Sequence, residues 1–178
     1  MFTRLLRRWF GGRQMSTLQA GDHAPSFTLS GTNGSKSSLA EALKKGPVLA
    51  AFFKSSCPVC QFTFPFLERL YETYGDSKVT FLAISQDNSE DTIDFCKEYG
   101  VKFPVLVDAE GYPASNQFGL TNVPSIFYIS PEGNIKTSSI GFSRADLEAI
   151  SQDVAAVSGK PHQALFRPDE VVPDYKPG

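Results

Sequence analysis

The amino-acid sequence predicts an α/β fold in which helices flank a mixed central β-sheet, with an amino-terminal β-hairpin added to it. Strand-like apolar runs alternate with helix-like segments from about residue 21 to residue 157, which is typical of layered α/β domains. Only the tight turn 131–133 separates the last two strand-like runs. Helical connections favour parallel strands and tight turns favour antiparallel ones, so the sheet should contain both kinds.

The chain is long enough for one well-buried core and short for two. It has 178 residues, of which 41% are hydrophobic, and domains usually contain about 100–200 residues. We therefore expect one domain over residues 19–158. A basic tail or targeting segment over residues 1–18 should precede it, and a proline-rich surface tail over residues 159–178 should follow it. The formal net charge of −2 argues against nucleic acid as a partner.

Three patterns mark the first half of the domain. A hairpin is predicted from residues 27–30 and 36–39, which flank a turn rich in glycine. Residues 48–53 (VLAAFF) are an uninterrupted apolar run, which predicts a strand buried on both faces. Apolar side chains then recur at helical spacing from Pro58, which predicts an amphipathic helix that bends at Pro65 and ends at Gly75.

The second half continues the alternation. The same periodicities and turn signals predict a strand over 79–84, a helix from Ser89, a strand over 105–107, a short helix over 114–118, and strands over 125–130 and 135–140. Ser143 is the expected cap of a last helix. The inward face of that helix should consist of Leu147, Ile150, Val154 and Val157.

The amino-terminal residues 1–13 carry four arginines and no acidic residue. As a helix, residues 2–10 would be amphipathic, which favours weak contact with a membrane surface or an organellar presequence. The alternative is that Met15 is the true start or that these residues form a disordered tail. No apolar run is long enough to span a membrane. Three cysteines fit a cytoplasmic redox protein better than a disulfide-stapled secreted one, and organellar or membrane-associated localisation is the alternative.

The candidate chemistry lies in the motif Cys57-Pro58-Val59-Cys60, directly after the buried strand. Cysteines three residues apart face the same side of a first helical turn and can form a disulfide. Pro58 suits the first helical position, which places Cys57 at the cap, where unpaired N–H groups stabilise a thiolate. Cys57 is therefore the predicted nucleophile and Cys60 the resolving cysteine, through a mixed disulfide.

Other roles for the cysteines are less well supported. A zinc site would need a second ligand pair, and the two histidines show no ligand spacing, so neither a metal nor another cofactor is expected. A purely structural disulfide in so short a loop would contribute little stability. Cys96 shares a helical face with Ile93 and Tyr99, which predicts core packing, with a second resolving role as the alternative.

The order of motifs resembles the thioredoxin-like redoxin superfamily. Residues 21–29 (GDHAPSFTL) resemble the opening of the redoxin, or AhpC/TSA, domain, and the cysteine motif followed by Pro65 resembles thioredoxin and the TlpA-like reductases. Residues 103–108 (FPVLVD) and 123–125 (VPS) match the remaining pattern in order, so the resemblance covers about residues 19–157. It implies a thioredoxin fold with an amino-terminal hairpin extension.

The resemblance also implies a substrate-binding surface. In such proteins the proline matching Pro124 is cis and faces the dithiol, which would leave the backbone of Val123 free to pair with a substrate segment. Pro58 and Val59 would border the same surface. The expected partners are protein or small-molecule disulfides and a cellular reductant, and a monomer or weak dimer is expected.

Two departures from the thioredoxin pattern concern proton transfer. Thioredoxin has a tryptophan before the first cysteine and a buried acid six residues before it, where this chain has Ser56 and Ala51. The proton acceptor for Cys60 is therefore unassigned. Lys54 could stabilise the thiolate electrostatically, with Ser56 as a nearby hydroxyl, although a lysine at a strand end is more often simply solvated.

The second functional hypothesis is a peroxiredoxin-like peroxidase that reduces hydroperoxides. Such enzymes resemble this chain at residues 21–29, but the places of their Thr or Ser, Pro and Arg hold Lys54, Ala50 and Lys136 here. Disulfide reduction is therefore favoured. A third hypothesis is a thioredoxin-fold binding module with inert cysteines.

Overall fold

A computed structural model describes residues 16–178. The predicted targeting or membrane-contact segment, residues 2–10, lies outside the described residues. The strands are β1 (Thr28–Gly31), β2 (Lys36–Ser38), β3 (Val48–Phe53), β4 (Thr80–Ser85), β5 (Val105–Val107), β6 (Ser125–Ile129), β7 (Ile135–Ile140), β8 (Phe142–Ser143) and β9 (Tyr175–Lys176). The helices are α1 (Leu39–Leu43), α2 (Pro58–Tyr74), α3 (Ser89–Tyr99), α4 (Pro113–Gln117) and α5 (Arg144–Ser158).

Seven strands form one mixed sheet in the order β2-β1-β5-β4-β3-β6-β7. Strand β4 runs parallel to β3 and β5, whereas β6 and β7 are antiparallel to their neighbours. The hairpin β1–β2 extends the sheet at one edge by antiparallel pairing with β5. The predicted α/β fold with a mixed sheet and an added hairpin is confirmed.

Strand β3 lies near the middle of the sheet and divides the core in two. All six of its side chains are buried. Leu49, Ala51 and Phe53 face the core cluster beneath α2, α3 and α5. Their alternates face a second cluster, which includes residues of α1 and α4. This two-residue period is what a strand covered on both faces requires, and it holds the carboxyl end of β3 rigidly in place.

Helix α2 is fixed against the sheet by aromatic packing. The rings of Phe53 and Phe64 lie 4.5 Å apart, and Phe64 and Leu67 are fully buried. Pro65 is exposed, and the helix continues through it. Burying a large apolar side chain contributes about 1.5–3 kcal/mol, so these contacts anchor the helix whose first turn carries both cysteines of the motif.

Several local predictions need correction. The short helix α1 was not predicted. Only two of its five residues face the core, and so short a segment shows no clear helical periodicity. Helix α3 begins at Ser89 as predicted, and its cap, which was not predicted, is Asn88, whose side chain accepts the N–H of Asp91 at 2.9 Å. Val157 is 41% exposed and does not belong to the buried face of α5, which ends at Ala155.

The carboxyl-terminal segment is more than the predicted surface tail. Leu165 and Phe166 are buried in the core. The guanidinium of Arg69 donates to both carboxylate oxygens of Glu170, at 2.9 and 2.6 Å, and to the Leu165 carbonyl at 2.7 Å. Two buried apolar residues among prolines and charges give no periodic signal, which is why sequence analysis missed this anchor.

No helix of the described chain is long and apolar enough to cross a membrane.

Candidate active site

The two cysteines of the motif lie where the central strand β3 ends and α2 begins. Cys57 caps α2 and is half-buried, whereas Cys60 lies one turn further and is fully buried. Both are free thiols in this structure. The arrangement gives one sulfur that a substrate can reach and one that is shielded from it.

The start of α2 supplies a hydrogen bond to the sulfur of Cys57. Its Sγ accepts the backbone N–H of Cys60 at 3.2 Å, as a capping oxygen does in other helices. The first N–H groups of a helix carry a partial positive charge, so this contact stabilises negative charge on the sulfur. The expectation that Cys57 occupies the cap therefore agrees with the geometry.

The surroundings of Cys60 favour its neutral thiol. Burial is the main cause that raises the pKa of Cys60 well above its usual range, and a hydrogen bond to Cys57 raises it further. The backbone N–H of Lys54 points to the Cys60 sulfur and partly opposes this effect. In the reduced protein the two sulfurs therefore differ: Cys57 is half-buried and within reach of solvent, whereas burial keeps Cys60 as a neutral thiol.

The loop before β6 brings Val123 and Pro124 to the dithiol. The peptide bond between them is cis, as predicted. Pro124 is buried, and the Val123 carbonyl accepts a hydrogen bond from the Cys57 Sγ at 3.3 Å. The backbone of Val123 thus lies directly beside the Cys57 sulfur, and its contact with a substrate stays a prediction.

The remaining predicted site residues lie within the motif or just before it. Pro58 is exposed and Val59 packs against the core. Lys54 and Ser56 are exposed, and the contacts of Lys54 with the motif are made by its backbone, whose carbonyl accepts the Cys57 N–H at 3.1 Å. An electrostatic effect of the Lys54 ammonium, and any role of the Ser56 hydroxyl, stay predictions.

Sequence analysis missed two residues that hold the loop before Cys57. Asp87 accepts the Ser55 N–H on its Oδ2 at 2.6 Å, and Gln61 donates from its Nε2 to the Ser55 carbonyl at 2.8 Å. The charge of Asp87 also contributes a little to raising the pKa of Cys60. A usable signal existed: Asp87 follows β4, and parallel neighbours such as β3 and β4 end at the same sheet edge.

The structure places Lys136, at the position of the peroxidase arginine, away from the Cys57 sulfur. The Lys136 Nζ lies 3.6 Å from an Asp153 carboxylate oxygen and 5.9 Å from the centre of the Tyr128 ring. It stands near the start of β7, whereas Ile140 at the other end pairs with Ser125 beside the dithiol. Lys136 therefore cannot polarise a peroxide bound at Cys57.

The third cysteine, Cys96 in α3, is a half-buried free thiol that packs against the core, which agrees with the predicted packing role. Burial, with a smaller contribution from the charge of Glu68, raises the pKa of Cys96 to about 11. Within residues 16–178, no group of three His, Cys, Asp or Glu side chains is placed to hold a metal ion.

Comparisons with known proteins agree with this geometry. Thiol-disulfide oxidoreductase ResA of Bacillus subtilis (strain 168) is 30% identical over 127 residues, 71% of this chain and 69% of that protein. Thioredoxin-like protein YneN of the same organism is 31% identical over 128 residues, 70% of this chain and 73% of that protein. A solved structure, a putative thiol:disulfide interchange protein DsbE from Chlorobium tepidum, has a TM-score of 0.70 at 28% identity, covering 80% of this chain and 100% of that one. Because the AhpC/TSA family model matches residues 20–138, most of the described domain, the chain belongs to the AhpC/TSA family of thioredoxin-like proteins.

Proposed function

We propose that this protein is a thiol–disulfide oxidoreductase that reduces disulfides through Cys57 and Cys60. The observation that carries the proposal is the position of the Cys57 sulfur: it caps α2, it is accessible, and it lies 3.3 Å from the Val123 carbonyl with Cys60 one turn away. The relatives named for thiol–disulfide chemistry support the same conclusion.

The first step is attack by the Cys57 thiolate on a substrate disulfide. A bond forms between Cys57 Sγ and one substrate sulfur, the substrate S–S bond breaks, and the other sulfur leaves as a thiolate that takes a proton. The Cys60 N–H that is bound to the Cys57 Sγ stabilises the attacking charge before the step and is released from it afterwards. The product is a mixed disulfide on Cys57.

The second step is attack by Cys60 on the Cys57 sulfur. Two of the causes that raise the pKa of Cys60 are its hydrogen bond to Cys57 and the charge of Cys57, and both disappear once Cys57 is bonded to substrate. Formation of the mixed disulfide therefore makes Cys60 easier to ionise. Its thiolate forms the Cys57–Cys60 disulfide, and the second substrate sulfur leaves. Two electrons pass to the substrate, and an external dithiol must restore the enzyme.

Peroxide reduction is the alternative function, and the geometry around Cys57 supports it less well than disulfide reduction. A peroxidatic cysteine needs donors that polarise the peroxide oxygen beside the sulfur. Lys54 is exposed at its side chain, and Lys136 is bound to Asp153 at the far end of β7. Lys136 therefore does not supply the donor that the arginine of a peroxidase would place beside Cys57.

The decisive test supplies the reduced protein separately with insulin disulfides and with hydrogen peroxide. We expect insulin reduction that is lost in both Cys57→Ser and Cys60→Ser, and a covalent substrate adduct on Cys57 that accumulates in Cys60→Ser. Cys96→Ser is the matched control and should retain activity. Rapid peroxide consumption that survives the loss of Cys60 would instead support the peroxidase.

A further inference from the structure

The end of the carboxyl-terminal segment lies across the dithiol site. Strand β9 (Tyr175–Lys176) pairs antiparallel with β8 (Phe142–Ser143), and the Asp174 carbonyl accepts the N–H of Arg144 at 2.9 Å. We call residues 174–178 the strap. The strap is thus held as an added strand directly after β7, whose end adjoins the loop of Pro124.

The far end of the strap packs on the backbone that the substrate would use. The Gly178 carbonyl accepts a hydrogen bond from the Asn122 Nδ2 at 3.1 Å. A Cβ placed on Gly178 would lie 2.5 Å from the Val123 carbonyl oxygen and 3.0 Å from its carbon. This is the same oxygen that accepts the thiol of Cys57. Gly178 therefore fills the space next to Val123 so closely that no side chain fits there.

The strap also contacts the helix that carries the dithiol. The Lys176 Nζ lies 5.0 Å from the centre of the Phe62 ring, two residues after Cys60 in α2. A cation over an aromatic face at this distance is attractive. The strap therefore contacts both α2 and the Val123 loop, which are the two sides of the dithiol.

We propose that the strap determines substrate specificity. With the strap in place, small-molecule disulfides can reach Cys57, whereas extended protein segments cannot pair with the Val123 backbone. The inference rests on the proposed disulfide reduction. A protein segment that pairs with the Val123 backbone needs the space that Gly178 occupies. A small disulfide needs no strand pairing and can reach Cys57 from the side where Ser56 and Pro58 are exposed.

The strap is built to open without unfolding the domain. Upstream of it, Leu165 and Phe166 are buried and Glu170 is bound by Arg69, so this part of the segment stays attached. The strap itself is joined to β8 by only two residue pairs, and Tyr175 is 55% exposed. Segments with few buried contacts open at low free-energy cost. Protein substrates are then admitted in proportion to the open fraction.

Two substitutions should displace the strap while leaving its anchor intact. Gly178→Val places a branched side chain against the Val123 carbonyl. Gly141→Ala places a Cβ on the Lys176 carbonyl oxygen and 2.9 Å from the Gly178 nitrogen. Gly111→Ala is the matched control, because Gly111 has φ 74° against 76° for Gly141 and no atom within 4 Å of its Cβ position. The control carries the same backbone strain without the clash.

The first readout is alkylation of Cys57, which requires no turnover. Rates with iodoacetamide and with an extended peptide carrying an iodoacetyl group are compared by mass mapping, each relative to a free cysteine peptide. We expect the wild-type protein to disfavour the peptide reagent about tenfold, and both displacing variants to reduce this discrimination about threefold or more. Gly111→Ala should match wild type. The same ratio of the two alkylation rates in all four proteins contradicts the proposed role of the strap.

The second readout compares turnover of a small aromatic disulfide with turnover of insulin. In the displacing variants the ratio of insulin to small-disulfide turnover should rise by the same factor as the alkylation ratio. An unchanged ratio contradicts the proposed role of the strap in specificity and leaves the proposed disulfide reduction unaffected. Absence of turnover with both disulfides, while alkylation still discriminates by size, overturns the proposed function and supports the strap.

Discussion

The start of α2 and the end of α3 each hold a cysteine, and the two cysteines have different backbone groups beside them. Cys57 precedes the first turn of α2 and accepts a backbone N–H on its sulfur. Cys96 lies in the last turn of α3, where its own carbonyl accepts the N–H of Val101 at 2.9 Å. Both side chains are half-buried against the same core cluster.

Burial is the main cause that raises the pKa of Cys96, and helix direction adds a second difference between the two sites. The amino end of a helix presents unpaired N–H groups and the carboxyl end presents carbonyl oxygens, so the first stabilises a thiolate and the second opposes it. Cys96 has the carboxylate of Glu68 nearby in addition, which raises its pKa further. The two half-buried cysteines therefore differ in role: Cys57 is the candidate nucleophile, and Cys96 packs against the core.

The largest effect should come from removing each sulfur in turn. We expect Cys57→Ser to lower disulfide reduction by about 10³-fold or more, because the atom that attacks the substrate is lost. Cys96→Ser should change the rate by less than about twofold, since its sulfur contacts neither substrate nor dithiol. Initial rates with one disulfide measure both. A large loss in Cys96→Ser would break the comparison.

Alkylation against pH should separate the two sulfurs without any substrate. Because the pKa of Cys96 is about 11, its reaction with iodoacetamide should rise about tenfold for each pH unit through neutral and mildly alkaline pH. Cys57 should react faster than Cys96 at pH 7. Mass mapping of partly alkylated protein in the Cys60→Ser variant gives both rates, and a Cys96 rate that levels off below pH 9 would contradict the assignment.

The sequence predicted the parts of this molecule that depend on local pattern. The apolar run of β3, the spacing of the cysteines and the proline after Cys57 each follow from the chain itself, and the structure places them at one strand end. The family resemblance supplied what pattern alone does not, namely that Pro124 lies beside a motif that is more than sixty residues away in the chain.

The parts that the sequence did not predict depend on contacts between distant segments. Asp87 meets the loop of Ser55 only because β3 and β4 are parallel and end together. Gly178 meets Val123 only because Leu165 and Phe166 anchor the segment before it. Neither contact has a periodicity or a spacing that a single sequence displays.

The loop before Cys57 gives a smaller test of what the α2 site requires. Asp87→Ala leaves the Ser55 N–H without its acceptor and should lower the free energy of unfolding by about 1–2 kcal/mol. Asp87→Asn keeps an acceptor oxygen and should cost less. Urea unfolding measures both. If the two variants are equally destabilised, the charge of Asp87 and not its hydrogen bond holds the loop.

The smallest effect should appear in the alkaline stability of the protein. The unfolded thiol of Cys96 titrates near pH 8.5 and the folded one near its pKa of about 11, so between these values the folded state binds more protons than the unfolded state. The free energy of unfolding therefore falls as pH rises through this window, by about 1 kcal/mol, because solvent screening reduces the effect at a partly exposed group. Cys96→Ser removes a titrating group and should make the decline shallower by that amount, while Cys57→Ser, which leaves the α3 site untouched, serves as the control. Parallel curves for wild type and Cys96→Ser between pH 8 and 10 would mean that burial at the end of α3 does not oppose ionisation of Cys96, and the contrast between the two cysteine sites would lose its physical basis.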